Sequence, residues 1–256
     1  MLARQPVLTE ADGAPFEVIN PRGESPVVLV CEHASSRVPV QLGNLGLAPD
    51  QLNSHVGWDP GARDLALELS ETFDAPLVAA RFSRLVYDCN RPPHAPSAIP
   101  YESEVCLVPG NREVSPAERD ARAQALYGPF HRAVSETLVS RRNGTQVPVM
   151  LTIHSFTPVF HGVARKVEIG FLHGEDGTLA QDLAADCRAR SGYDVRLNEP
   201  YAPKDGVLHT IDRHLADGPF PYAMIEVRND LLTNPDKRAD ILALLSSSLR
   251  AVLSVQ

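Results

Sequence analysis

Apolar residues in this chain gather into short runs, and between them lie longer stretches with helical spacing. Residues 26–31 (PVVLVC) form one such run, and unbroken apolarity over so few positions predicts a strand buried on both faces. Residues 60–73 place Ala62, Leu65, Ala66, Leu69 and Phe73 on one helical stripe, and Pro60 near the start suits a first turn. Further strands are expected over 75–83, 84–90, 147–155, 167–174, 194–198 and 221–229. Helices are expected over 116–141, 177–191 and 235–254. The first of these opens on Ser115 and Pro116, a capping serine followed by a proline, and Gly128-Pro129 interrupts it.

Strands that alternate with helices imply an α/β domain whose mostly parallel sheet carries helices on both faces. No repeat or composition break divides the chain, so residues 1–256 read as a single domain. Residues 91–109 (RPPHAPSAIPYESEVCLVP) form one long, proline-rich loop, a feature that in a compact domain is usually either functional or disordered. Residues 199–214 also read as loop. In open α/β sheets ligands bind beyond the carboxyl ends of the strands, so polar residues that follow apolar runs draw interest.

Charge removes some possibilities. Twenty-four Lys and Arg against 32 Asp and Glu leave a net charge of −8, which disfavours a phosphate-backbone partner such as nucleic acid. No apolar run is long enough to span a membrane, and the N-terminal residues show no secretory core, so a cytoplasmic location is expected. Cys31, Cys89, Cys106 and Cys187 are scattered without a CxxC pair and read as buried thiols.

Four segments carry candidate chemistry: Cys31-Glu32-His33-Ala34-Ser35-Ser36 after the first apolar run, Trp58-Asp59-Pro60-Gly61 at a helix start, Ile153-His154-Ser155 at a strand end, and Glu226 with Arg228 in the last strand. Two histidines and a carboxylate suit a catalytic zinc, which keeps three protein ligands and one open position. His33, Asp59 and His154 are the candidate ligands for one Zn²⁺ or another divalent ion. Glu226 is the candidate general base, because a carboxylate in an apolar strand is costly without a task or a partner. Taken singly, each residue also has a plain structural explanation. Asp59 can accept first-turn N–H groups, and Glu226 can pair with Arg228 on its own face of the strand.

Arg84, Asn90, Arg91 and Arg228 are candidate substrate contacts, since guanidinium groups bind carboxylates bidentately. Ser35 and Ser36 offer hydroxyls to substrate; without a nucleophile elbow they are poor nucleophiles. Tyr201, His209 and His214 are weaker pocket candidates. His55, His94, His131, His161 and His173 receive no role.

Five ordered blocks resemble the N-formylglutamate amidohydrolase family: CEHASSRVP (31–39), HVGWDPGARDLA (55–66), FSRLVYDCNRP (82–92), TIHSFTP (152–158) and MIEVRNDLL (224–232). The arrangement is more distantly similar to zinc-dependent peptidoglycan amidases and carboxypeptidases, though Asp59 stands where those amidases use glutamate. Asp88-Cys89-Asn90-Arg91 is similar to the Asp-x-Asn-Arg of aspartoacylase-like enzymes, in which the Asn-Arg pair holds a substrate carboxylate. The resemblance implies a three-layer α/β/α sandwich with a mostly parallel mixed sheet, phosphorylase/hydrolase-like and zinc carboxypeptidase-like. It also implies a zinc-dependent hydrolase of a linear amide in a small acidic N-acyl amino acid, N-formyl-L-glutamate above all. Two alternatives stand beside it: an amidase for another N-acyl amino acid or a peptidoglycan-type peptide, and a non-catalytic binder of an acidic metabolite.

Overall fold

The apolar runs become the inner strands of a seven-stranded sheet in the computed structural model, which describes residues 6–142 and 147–253. In chain order the strands are β1 (Phe16–Ile19), β2 (Val27–Cys31), β3 (Leu77–Ala80), β4 (Glu102–Ser103), β5 (Cys106–Leu107), β6 (Val149–Phe156), β7 (Val159–Phe160), β8 (Val163–Ala164), β9 (Ile169–Leu172), β10 (Val195–Leu197) and β11 (Tyr222–Arg228). The helices are α1 (Pro49–Leu52), α2 (Ala62–Phe73), α3 (Pro116–Arg122), α4 (Gly128–Arg141), α5 (Thr178–Arg190), α6 (His209–Leu215), α7 (Asn229–Leu232) and α8 (Pro235–Leu253). The large sheet runs β1-β3-β2-β6-β11-β9-β10, while β4–β5 and β7–β8 are separate hairpins.

Strands β3, β2, β6 and β11 run parallel; β1 and β9 are antiparallel to their neighbours β3 and β11, so the sheet is mixed. Alternate residues of each central strand enter two different cores. Leu29, Leu151 and Ile225 meet Leu65, Leu183 and Leu245 of α2, α5 and α8. Val30, Met150 and Met224 meet Phe130 and Val134 of α4 and Ile211 of α6 on the opposite face. This makes an α/β/α sandwich. Burial of every residue in β2 explains why this strand reads as a continuous apolar run, while β6, equally buried, is apolar up to Leu151 and then admits Thr152, His154 and Ser155.

The structure departs from the pattern in several places, among them the short hairpins β4–β5, inside the stretch read as one loop, and β7–β8. Residues 84–90 are turns, not a strand, because side chains hold their backbone groups. Ser83 accepts from the Leu85 N–H at 3.1 Å, Asn111 donates to the Leu85 carbonyl at 2.8 Å, and Asp88 accepts from the Asn90 N–H at 2.8 Å. Edge strand β1 went unread because all four of its residues are half-buried and no apolar run marks it. Part of the stretch read as loop after residue 199 is helix α6. The break near Gly128-Pro129 is a π-type turn over Ala123–Tyr127 that keeps the helix axis running past the proline. All four cysteines are free and buried. Ser254, the last residue expected in the C-terminal helix, and the first five residues of the chain lie outside the described residues.

Behind the sheet's α4 face, two histidines expected to be idle or pocket-lining form a closed polar chain. His131 Nε2 donates to the Cys89 carbonyl (2.8 Å), His214 Nε2 donates to His131 Nδ1 (3.0 Å), and Ser135 Oγ donates to His214 Nδ1 (3.3 Å). Each ring nitrogen is used once in this neutral arrangement, and an added proton would set donor against donor. Burial pushes His131 down to about 3 and His214 down to about 4. Folded-state values below the unfolded 6.5 mean that the unfolded chain takes up these protons first. Stability should therefore fall as pH drops from about 6.5 toward 4, by about 1.4 kcal/mol per pH unit per histidine in that window. The check is NMR: the Cε1–H shifts of both rings should stay flat from pH 7.5 to 5, and titration near 6.5 would refute the neutral chain.

Candidate active site

Strand alternation carries three acidic or basic side chains to one place. Glu32, His154 and Glu226 continue the face that holds Val30, Met150 and Met224, at the carboxyl ends of parallel strands. Glu226 and His154 are direct cross-strand partners in the β11–β6 register. His33 follows two residues after β2, and its carbonyl accepts from the Asp59 N–H at 3.0 Å, which draws the 57–61 loop against it. Gly61 then turns the chain into α2 at φ +81°, where a Cβ would stand 2.4 Å from the Leu232 Cβ, so no other residue fits. Asp59 does not cap α2; its carboxylate turns inward.

Asp59 Oδ2 lies 2.9 Å from His154 Nδ1 and 3.3 Å from His33 Nδ1, and the two rings meet edge to face with centroids 4.9 Å apart. The potential ligand atoms of His33, Asp59 and His154 all fall within 4.8 Å of one another. Behind them, His33 Nε2 is 2.8 Å from Asp88 Oδ1. His154 Nε2 is 3.2 Å from Glu32 Oε2, within ion-pair range but without hydrogen-bond alignment. Each ring thus turns Nδ1 toward the centre and Nε2 toward a carboxylate, the outer contact that orients metal-ligating histidines.

Electrostatics follow from this crowding. Burial alone would lower both histidines, but it is outweighed by Asp88 and Asp59 at His33 and by Glu32 and Asp59 at His154, and both stand above the ordinary imidazole range. Burial would raise Asp59 and Asp88; His33, His154 and Arg84 together outweigh it at Asp59, and His33, Arg91 and Arg84 at Asp88, so both lie below the usual carboxylate range. Glu226 behaves differently. Burial pushes it up to about 7 against the opposing charge of His154, and its Oε2 has no hydrogen-bond partner.

These groups open onto a cavity of about 560 Å³, whose walls include Arg84, Asn90 and Arg91, as expected, together with Arg165, Tyr201 and His55. Arg84 donates to the carbonyls of His55 and Val56, and its Nη1 lies 3.6 Å from Asp59 Oδ1. Asn90 lines the cavity with its amide already committed: Nδ2 donates to the Val207 carbonyl and Oδ1 accepts from the Thr210 N–H. It shapes the wall there.

Three expected substrate contacts stand elsewhere. Arg228 shares a strand face with Glu226, yet at the strand end it swings to Asp230 (2.7 Å) and Glu168 (3.3 Å), so it is not the partner of Glu226. Ser35 and Ser36 line a separate surface depression with Arg37, Trp58 and Arg63, because the chain turns away after His33. His209 and His214 stay outside the cavity, whereas Tyr201 lines it.

Further contributors to the site carry little mark in the sequence. His55, given no role, lines the cavity and pairs with Glu104 at 2.6 Å; the other Glu104 oxygen accepts from the His161 N–H at 2.7 Å. Glu104 therefore ties the β4–β5 hairpin to the tip of β7–β8. The long loop at 91–109 was the visible signal for it. Arg165 had no signal beyond its residue type.

The profile of N-formylglutamate amidohydrolase matches residues 25–233. The chain belongs to the N-formylglutamate amidohydrolase family. Members are amidohydrolases, so the chain is placed among enzymes that act on an amide. A gene product of Agrobacterium tumefaciens is similar at 49% identity, over 97% of this chain and 98% of that one, with a TM-score of 0.93. N-formylglutamate amidohydrolase from Ralstonia eutropha JMP134 shares the fold at 21% identity, over 94% and 98% of the two chains, with a TM-score of 0.68. No curated protein sequence matches significantly. No helix among the described residues is long and apolar enough to cross a membrane.

Proposed function

We propose that this family member is a zinc-dependent amidohydrolase that cleaves N-formyl-L-glutamate to formate and L-glutamate. The observation that carries the reading is a buried carboxylate without a hydrogen-bond partner at one oxygen, Glu226, in register with His154 beside a second histidine and Asp59. The donor set fits a divalent cation. Two imidazole nitrogens and a carboxylate oxygen converge, and the carboxylates Glu32, Asp59, Asp88 and Glu226 are all buried, an excess of negative charge that a dication offsets. His33, Asp59 and His154 would hold one Zn²⁺ per chain, or another divalent ion. Bound there, the cation would polarise the amide carbonyl and acidify a water molecule.

Glu226 takes the proton from the attacking water and delivers it to the leaving nitrogen, so the amine departs neutral. A carboxyl near 7 is matched to both halves of that transfer. Asp88 and Glu32 keep the histidine rings oriented. Arg84, close to Asp59, is placed to stabilise charge on the carbonyl oxygen, and Arg91 meets a substrate carboxylate.

A peptidoglycan-type peptide would need an open groove. The hairpins joined through Glu104 and the arginine-lined cavity favour a small acidic N-acyl amino acid. A non-catalytic binder would have no use for a buried carboxylate like Glu226, whose desolvation is a cost without chemistry to offset it. The test is elemental analysis with a formate-release assay. About one zinc per chain, loss of turnover on chelation and recovery on zinc addition are expected. A protein that takes up no metal on reconstitution, or keeps full turnover without it, overturns the reading.

A further inference from the structure

Three arginines line the cavity, but their surroundings differ. Arg84 and Arg91 lie in the fields of buried carboxylates, Asp59 and Asp88. Arg165, just beyond β8, has no carboxylate within ion-pair distance among the described residues; it is surrounded by rings instead. Its guanidinium carbon lies 4.5 Å from the Phe160 centroid, 4.9 Å from Tyr201 and 5.6 Å from Phe156. Nη1 donates to the Tyr201 hydroxyl at 3.1 Å and to the Thr157 carbonyl at 3.5 Å, which fixes the plane of the group.

Aromatic faces strip water from a guanidinium without neutralising it. The remaining N–H edge of such a cation gains most from a planar anion that arrives with its own two oxygens. Its Tyr201 partner lines the same cavity as Glu226, as do Phe156 and Phe160, so the ring cluster borders the reaction centre. The Arg165 N–H donates to the Pro158 carbonyl at 2.8 Å, and Glu104 holds the hairpin tip at His161, so the cation rides on a braced element.

We propose that Arg165 receives the side-chain carboxylate of the substrate and sets the preference for N-acylated acidic amino acids over their neutral isosteres. The proposal rests on the amidohydrolase reading above and deepens it. A neutral amide in the same place leaves the dehydrated cation unpaired, and sites built around one polar contact discriminate strongly against ligands that lack the matching group.

Two measurements test it. In zinc-loaded protein, kcat/KM for N-formyl-L-glutamate should fall about 10²- to 10³-fold in Arg165→Gln, mostly through KM. Turnover of N-formyl-L-glutamine should change less than about threefold, and Arg165→Lys should recover part of the loss because it restores charge without the planar fork. Independently of turnover, calorimetry should find glutarate binding wild type more tightly than its monoamide, with the difference gone in Arg165→Gln. Equal losses for both formyl substrates, or an unchanged preference for glutarate, overturn the clamp while leaving the hydrolase intact. Selective glutarate binding through Arg165 in a protein that hydrolyses no N-formyl amino acid would keep the clamp and overturn the proposed reaction. Wild type that binds neither ligand overturns the clamp as well.

Discussion

Glu226→Gln should lower turnover by about two to four decades, the usual size of a general-base contribution, while zinc stays bound. The substitution is nearly isosteric, so the cavity keeps its shape. What disappears is the ability to take a proton. Wild-type Glu226 is 5% exposed, and burial pushes its carboxyl up to about 7, evidence that its charge is poorly solvated in place. An amide there carries no charge to desolvate, so the variant should melt no lower than wild type. Formate release, elemental analysis and a thermal melt on one preparation check all three parts. Turnover like that of wild type would remove Glu226 from the role of base, whatever the zinc content.

His154→Ala should lose zinc and activity together, down to the assay background. This ring lies between two carboxylates, with Nδ1 2.9 Å from Asp59 and Nε2 3.2 Å from Glu32, and it stands in register with Glu226. Removing it takes away one ligand and leaves buried acids with a single neighbouring histidine. Breaking one side of a buried ion pair typically costs about 3–5 kcal/mol, so a lower melting temperature should accompany the loss. Asp88→Asn separates the two effects. It keeps an oxygen near His33 Nε2 and removes only the charge, so zinc affinity should fall about 10- to 100-fold without loss of the fold. Full zinc occupancy in His154→Ala would take His154 out of the ligand set; unchanged affinity in Asp88→Asn would limit Asp88 to a packing role.

Much of the fold was legible in the chain because a strand buried on both faces is mostly apolar, and its few polar residues, such as His154 and Glu226, then stand out as candidates for chemistry. β2, β6 and β11 were visible for that reason, and so was the stripe of α2. The same regularity failed at β1, whose residues are only half covered, and at residues 84–90, where apolar composition mimics a strand. There Ser83, Asn111 and Asp88 satisfy the backbone groups that a ladder would have used. The mixed character of the sheet was not legible from periodicity at all, since β9 runs antiparallel to β11 with no mark in its own composition.

The chain by itself determined which residues could do chemistry and which face of the sheet each strand residue takes. Val30, Met150 and Met224 fix where Glu32, His154 and Glu226 point, since side chains alternate with a period of two. Tertiary structure decided the partners. Asp88 reaches His33 across 55 residues, and Glu104 reaches His161 across 57. Arg228 shares the right face yet turns to Asp230 and Glu168, and Ser35 and Ser36 follow His33 in sequence yet face another surface. Arg165, unremarked in the sequence, enters the cavity because a two-strand hairpin folds over it. Local periodicity encodes a direction for each side chain; contact between two of them also depends on strand order and on the paths of the loops, which are settled by burial summed over the whole molecule.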